Sequence, residues 1–167
     1  YHDHNRGVER LSYSFKEWYW GRLHFENETL LYYVMNGFEN KQHQAWLISR
    51  DNQQVLSYFD KIELQNPAKN RFGLKYFQEL HFMGVRGTIE VHQKKRVDNG
   101  PFYQRFLAEA FYVNSNKKPV VTGFSEYIYP KNIEDEKYRW MVNMRLRYTR
   151  QKPHWVQKSR LLYPFTW

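Results

Sequence analysis

The residues best suited to chemistry stand at the start of the chain, in the stretch YHDHNRG. His2 and His4 project to one side of an extended segment and flank Asp3, a grouping that could bind a metal or move a proton. No third metal ligand is evident in the sequence, and structural hydrogen bonding by the imidazoles competes with both interpretations. We therefore predict no metal and no cofactor, and we retain His4 and Asp3 as candidates for proton transfer.

A second pair of ionisable residues, Arg105 and Glu126, lies on two strand-like segments that follow each other in the chain. Buried charges persist only when they are partnered, so the sequence predicts a buried ion pair across neighbouring strands. We favour an architectural role for this pair, as a clamp between strands, over a role in contacting a ligand. An aromatic stretch near the start of the chain, with Trp18, Trp20 and Gly21, is interpreted as a core stripe of the fold.

The length and composition fit a single domain and exclude several kinds of cysteine chemistry. The chain has 167 residues, of which 19% are aromatic, and a formal net charge of +9. This length allows a real hydrophobic core. The absence of cysteine excludes disulfides, thiolate nucleophiles and cysteine-based zinc sites. The positive charge favours an acidic partner, or it simply keeps the protein molecules apart in solution by mutual repulsion.

Targeting and membrane signals are not recognisable in the chain. No segment approaches the roughly 18 unbroken apolar residues of a membrane-spanning helix, and no signal peptide is visible. Because the chain begins without Met and inside a motif, we expect 1–167 to be a single domain from a longer protein. The compartment stays open, with a cytoplasmic or peripheral membrane location favoured.

Alternation of apolar and polar residues predicts antiparallel strands in the second half of the chain. The alternation is clearest in YRWMVNMRLRYT, residues 138–149, and it recurs in GTIEVHQKKR, residues 87–96. Between that segment and the next, Asn99-Gly100 predicts a tight hairpin with positive φ angles.

Two further segments complete the second half. PFYQRFLAEAFYV, residues 101–113, contains good helix formers, but Pro101 and a polar turn bracket a strand-sized length, so a strand is favoured over a helix. KPVVTGFSEYIYP, residues 118–130, is the next predicted strand, with Gly123 at a bulge or a barrel bend.

The first half of the chain reads as further strands separated by turn residues. The strand-like segments are FKEWYWGRLHF, TLLYYVMNGF, QAWLISR, QVLSYF and KIELQ. Asn66-Pro67 predicts a turn, and the weakly periodic segment 67–82 is expected to be a loop or a short helix across one end. About ten short strands and almost no helix predict an all-β fold, an antiparallel up-and-down barrel of about eight to ten strands or a sandwich. A barrel of this size is wide enough to hold one small ligand.

Four stretches resemble, in order, the signature of the carotenoid hydratase (hydroxyneurosporene synthase) family and its lipocalin-like relatives. The stretches are YHDHNRG, WYWGRLHFENETLLYYV, PFYQRFLAEAF and GFSEYI. In that family the first usually reads His-Asp-His-Asn-Trp-Gly, and the second runs from Trp-Gly-Arg into Thr-Leu-x-Tyr-Tyr-Asp. The resemblance implies two lipocalin-like barrels in one polypeptide, with this chain as the second. It also implies addition of water to a carbon–carbon double bond of an acyclic carotenoid.

The same resemblance implies the roles of individual residues. His4 and Tyr32 match the family's His and Tyr, whereas Arg6 stands at its Trp and Val34 at its Asp. Alkene hydration needs a strong proton donor and an aromatic face for the cation. Arg6 would repel that cation, and Val34 cannot donate a proton. We expect ordinary hydration to be lost unless Asp3 takes the donor's place.

Ligand contacts are expected from aromatic or charged positions on the predicted strands. Tyr32 and Tyr33 lie on a strand that is apolar on both faces, so packing is favoured over chemistry for these two. These candidate contacts are Tyr33, Trp18, Trp20, Tyr103, Arg105 and Glu126. The basic, aromatic tail QKPHWVQKSRLLYPFTW could stack on bases or rest on a membrane interface, and packing on a partner domain is favoured.

The favoured function is binding of an apolar isoprenoid or lipid ligand by a lipocalin-like domain whose hydratase activity has changed or stopped. The alternatives are an active hydro-lyase acting on an acyclic carotenoid, a cyclase of the same fold, a non-catalytic scaffold subunit, and a basic barrel that binds single-stranded nucleic acid. Expected partners are the apolar ligand, the N-terminal barrel of the same polypeptide, and an anionic membrane surface or protein complex. Nucleic acid is disfavoured.

Overall fold

Eight strands alternate buried inward side chains with more exposed outward ones, and together they close into an antiparallel barrel. The computed structural model describes residues 9–113 and 121–139. The strands are β1 (Glu17–His24), β2 (Glu28–Asn36), β3 (Lys41–Ser49), β4 (Val55–Lys69), β5 (Lys75–Gly84), β6 (Gly87–Asn99), β7 (Tyr103–Tyr112) and β8 (Val121–Ile128). Two one-turn helices flank them, α1 (Leu11–Ser14) before β1 and α2 (Lys131–Glu134) after β8.

Each strand pairs with the next one along the chain, and β8 returns to pair with β1. Gly21 of β1, for example, lies opposite Tyr32 of β2 on one side and Ser125 of β8 on the other. This is the up-and-down connectivity of lipocalin-like barrels, and closure leaves no free sheet edge. The predicted all-β antiparallel barrel is confirmed, with eight strands and little helix in the described ranges.

Strand β7 lies in the segment 101–113, whose sequence also contains good helix formers, and its burial pattern shows why the segment is extended. Gln104, Phe106 and Ala108 point inward and are buried, whereas Leu107 is exposed and Glu109 partly so. This two-residue period fits a strand with one covered face, and it matches the register with β6 and β8. The prediction of a strand over residues 101–113 is confirmed.

The prediction of a loop or short helix over 67–82 is wrong. Strand β4 continues through Pro67 to Lys69, and β5 begins at Lys75. Tyr76, Leu80 and Phe82 alternate inward there, a pattern that apolar residues on the outward face conceal in the sequence.

The predicted turn at Asn66-Pro67 is therefore also wrong, since both residues lie within β4. Asn66 has a φ of 54°, a left-handed conformation that asparagine tolerates. The segments expected as two strands, 54–59 and 61–65, both belong to β4. Its register with β5 shifts between Phe59 and Lys61.

Two other local predictions need revision. The hairpin at Asn99-Gly100 forms, with the Gly100 N–H donating to the Tyr103 carbonyl at 2.8 Å, but neither residue has a positive φ. Gly123 lies in regular register with both neighbouring strands and is not a bulge. A Cβ on Gly123 would lie 2.3 Å from the Arg22 carbonyl oxygen, so the glycine permits close approach of β1.

Of the strand predicted over 138–149, only Tyr138 and Arg139 lie within the described residues. The chain is helical at both positions. The remainder of that segment, and the basic aromatic tail after it, lie outside the described residues.

One end of the barrel is covered, and we call it the capped end. It carries both helices and the turns 37–40, 70–74 and 100–102. Asn132 Nδ2 donates to the Pro101 carbonyl and the Tyr138 hydroxyl to the Phe72 carbonyl, both at 2.7 Å. These bonds attach the segment after β8 to two of the turns.

No helix in the described ranges has the length or apolarity to cross a membrane.

Candidate functional site

The interior around Tyr32 is packed by the protein's own side chains. Tyr32, Tyr19 and Phe82 have an exposed fraction of 0%, so there is no room for a water molecule in contact with them. The rings of Tyr32 and Phe82 lie 4.6 Å apart, and those of Tyr19 and Tyr127 are also 4.6 Å apart. An eight-stranded barrel can be filled or can hold a ligand, and this one is filled at Tyr32. A ligand held beside Tyr32, as the resemblance to the hydratase family would imply, therefore has no open space there.

The Tyr32 hydroxyl is held by a short polar relay. It donates to Ser125 Oγ at 2.8 Å, and Gln93 Nε2 donates to the same oxygen at 3.2 Å. Gly21 makes room for this arrangement, because a Cβ there would lie 2.3 Å from the Tyr32 hydroxyl oxygen. Four strands, β1, β2, β6 and β8, thus position one phenol.

This relay is poorly suited to act as a strong proton donor. Burial raises the pKa of Tyr32 above its ordinary value, because the phenolate would be desolvated. Val34 is fully buried two residues further along β2, where the resembling family has Asp. Among the buried residues of the described ranges, the polar side chains are Ser57, Asn70, Gln93, Gln104 and Ser125, and none is charged.

Two interior glutamines were missed by the sequence reasoning. Gln93 Oε1 and both amide atoms of Gln104 are buried without a hydrogen-bond partner among the described residues. A buried amide left unpaired costs about 1–3 kcal/mol. The available signal was their inward phase: Gln93 follows Ile89 and Val91 at two-residue spacing, and Gln104 precedes Phe106 and Ala108 in the same way.

The predicted pair of Arg105 and Glu126 exists, but it lies on the outer face of the barrel. Arg105 Nε donates to Glu126 Oε1 at 3.1 Å and to the Tyr103 hydroxyl at 3.0 Å, and it lies 3.4 Å from Asp98 Oδ2. The Arg105 side chain is 41% exposed, so the pair is not buried as predicted. The contacts link β6, β7 and β8, as an architectural clamp would. Burial raises the pKa of Tyr103, and its contact with Glu126 adds to this.

The predicted core stripe of Trp18 and Trp20 is wrong for both tryptophans. They are partly exposed and alternate with the inward residues Tyr19 and Gly21. Tyr33 likewise points outward beside Trp20, one residue out of phase with Tyr32. Successive residues of a strand face opposite sides of the sheet. The residues predicted to contact a ligand therefore do not share the interior with Tyr32; they are Tyr33, Trp18, Trp20, Tyr103, Arg105 and Glu126.

The opening motif falls outside the described residues. His2, Asp3, His4 and Arg6 all belong to the part of the chain before residue 9. Their predicted roles in proton transfer therefore stay predictions. Within 9–113 and 121–139, no group of three or more His, Asp or Glu side chains is arranged to hold a metal ion.

An open groove of about 810 Å³ lies at the capped end. We call it the capped-end groove. It lies between α1, the start of β1, the turn 37–40 and the segment after β8. Aromatic rings and lysines line it, namely Tyr13, Phe15, Phe38, Tyr129, Lys16, Lys41 and Lys131. A groove of this volume can accept a small amphipathic molecule.

Comparison with known proteins finds a similarity to hydroxyneurosporene dehydrogenase of Chlorobaculum tepidum. The two are 26% identical over 154 residues, which cover 87% of this chain and 40% of that protein. This match supports the sequence resemblance to carotenoid hydratase-like, lipocalin-like proteins. The chain thus spans less than half the length of this curated relative.

Kievitone hydratase from Nectria haematococca is a structural neighbour, with a TM-score of 0.48 and 14% identity over 69% of this chain and 40% of that one. No family model matches the sequence.

Proposed function

We propose that this chain is a lipocalin-like binding domain for an apolar isoprenoid or lipid ligand, and that it does not hydrate that ligand itself. The observation that carries the proposal is that no charged side chain of residues 9–113 and 121–139 is buried around Tyr32. Hydration of an isolated alkene requires a strong acid within hydrogen-bond reach of the double bond. Val34, Ser125 and a phenol of raised pKa cannot supply that proton.

The ligand's proposed place is the capped-end groove, because the interior around Tyr32 has no free space. Phe38 and Tyr13 are 54% and 65% exposed, so their rings are available to an apolar chain. Phe15, which is nearly buried, forms part of the same lining. Covering such rings removes apolar area from water and favours binding by roughly 25 cal/mol per Å².

A second barrel of the same polypeptide is the proposed partner of this domain. The support for it is the coverage of only 40% of the curated relative's length by this chain. Half-buried outward tryptophans such as Trp18 offer apolar surface for such a contact.

Binding is tested with retinol, a neutral fluorescent isoprenoid, titrated into the full chain. We expect saturable binding that Phe38→Asp weakens about tenfold, since the charge would be placed against the apolar ligand. Val85→Asp is the matched control, because Val85 is 95% exposed at the opposite end of the barrel. Absence of saturable binding, or equal loss in both variants, contradicts the proposal.

The absence of hydration is tested by incubating the full chain with an acyclic carotenoid and separating the products by chromatography. We expect unchanged substrate. A hydroxylated product that disappears in His4→Ala would overturn this part of the proposal and favour the hydro-lyase instead.

A further inference from the structure

We propose that the capped-end groove selects a single-chain amphiphile with an anionic head, a carboxylate or a phosphate. This inference rests on the proposed binding function and adds the polarity of the ligand to it. It comes from the state of the charged residues in the groove, where the carboxylates are largely engaged and the lysines are not.

Two of the carboxylates lining the groove already accept hydrogen bonds on the protein. Glu17 accepts the Tyr127 hydroxyl on Oε2 at 2.8 Å and Asn36 Nδ2 on Oε1. Glu134 accepts the Ser12 hydroxyl on Oε1 at 2.6 Å, and its Oε2 lies 3.6 Å from Arg10 Nη1. Each of these oxygens already has one partner on the protein, which makes both carboxylates less available to an incoming cation or donor.

The three lysines of the groove remain available. Lys16 Nζ lies 5.6 Å from the centre of the Phe38 ring, a cation–π contact that leaves its outer face in water. Lys41 and Lys131 are exposed, and no carboxylate among the described residues lies within 4.0 Å of either. Glu39, on the turn 37–40, is exposed and is the remaining acid of the lining.

The lysines and the aromatic rings have complementary uses. An apolar chain can lie on Phe38 and Tyr13, while ammonium groups at the rim donate to the oxygens of a carboxylate or phosphate. The lysine stems add apolar contact along the way. A neutral ligand would gain the contact with the rings but not the ion pairs. Because the rim is solvated, the preference for an anion should be modest and should weaken with salt.

The test compares two fluorescent probes that share the same acyl chain, cis-parinaric acid and its methyl ester. Each is titrated into the 167-residue protein at low and high salt. We expect the acid to bind about tenfold more tightly than the ester at low salt. The double variant Lys41→Glu, Lys131→Glu should abolish that preference while binding of the ester changes less than about twofold. The charge-matched control Lys69→Glu, Lys95→Glu should retain the preference.

A phosphate head is examined by displacing the bound acid with dodecyl phosphate, and inorganic phosphate serves to separate the head from the chain. We expect displacement by dodecyl phosphate at concentrations where inorganic phosphate has no effect. Displacement by inorganic phosphate alone at the same concentration would overturn the requirement for an apolar chain.

The remaining outcomes separate the two proposals. Equal binding of acid and ester overturns the selection of an anion and leaves the binding function standing. Failure of both probes to bind contradicts the binding function as well. Lysine-dependent binding to vesicles of phosphatidylglycerol and phosphatidylcholine, without binding of the free acid, would show that the lysines contact a membrane surface, and would overturn the amphiphile proposal.

Discussion

The interior around Tyr32 and the capped-end groove are both lined by aromatic rings, yet they differ in charge and exposure. Inside the barrel, Tyr32 and Phe82 are fully buried and no charged residue accompanies them in the described ranges. In the groove, Phe38 is 54% exposed and lysines stand beside it. The same residue type therefore serves packing in one region and is free to contact a ligand in the other.

This difference indicates which region carries the stability of the fold and which one is open to the proposed ligand. Ring-on-ring contacts in the interior join strands from around the barrel, so their loss affects the whole fold. The groove is lined mainly by α1, α2 and the turn 37–40, together with the ends of three strands, so its exposed side chains can change with less effect on the strand pairing. Three sets of substitutions would break or sharpen the comparison.

The largest expected difference is between Phe82→Ala and Phe38→Ala. Truncating Phe82 leaves a cavity beside Tyr32 and Phe59, and we expect a loss of about 3–5 kcal/mol in the free energy of unfolding. Phe38→Ala removes an exposed ring, so a change within about 0.5 kcal/mol is expected. Urea denaturation followed by circular dichroism measures both. Similar losses in the two variants would contradict the distinction between the regions.

Gly21→Ala should have the next largest effect. The new Cβ would overlap the end of the Tyr32 ring, and overpacking of this kind typically costs about 1–3 kcal/mol. In a Tyr32→Ala background the obstacle is gone, so the same change should cost much less. A double-mutant cycle of unfolding free energies measures the coupling. If the two costs simply add, Tyr32 is not what restricts residue 21.

A change of the opposite sign, smaller than those of Phe82→Ala and Gly21→Ala, is expected from Gln104→Leu. Both polar atoms of this fully buried amide lack a partner among the described residues, and removing such a group relieves its desolvation penalty. We expect a gain of about 1 kcal/mol in the free energy of unfolding. Gln93→Leu is the contrasting variant, since it deletes a bond to Ser125 and should destabilise. A loss in Gln104→Leu would mean that the amide is satisfied in the folded protein.

Much of the fold was accessible from local pattern. Alternation along residues 87–96 and 101–113 predicted β6 and β7, and turn residues such as Asn27 and Asn52 separated real strands. The pattern failed at 67–82, because Phe77, His81 and Met83 place large side chains on the outward face and mask the alternation. Pro67 was misleading in the same region, since β4 pairs with β5 at Pro67 and at Ala68 after it.

The candidate site was less accessible. The contact of Arg105 with Glu126 was predicted from residue type and neighbouring strands, and it forms. Which face the pair occupies depends on the phase of each strand, and a shift of one residue reverses every side chain. The relay from Tyr32 to Ser125 joins residues 93 positions apart, so no local pattern could reveal it.

By itself, the sequence determined that this protein is all-β with antiparallel strands, because residue alternation and turn chemistry act over a few neighbouring positions. It also determined that Val34 replaces an acid in the resembling family's motif. Only the tertiary structure decided that the space beside Tyr32 is filled and that open apolar surface lies at the capped end. Those outcomes depend on side-chain volumes meeting across the closed barrel, a sum over all eight strands.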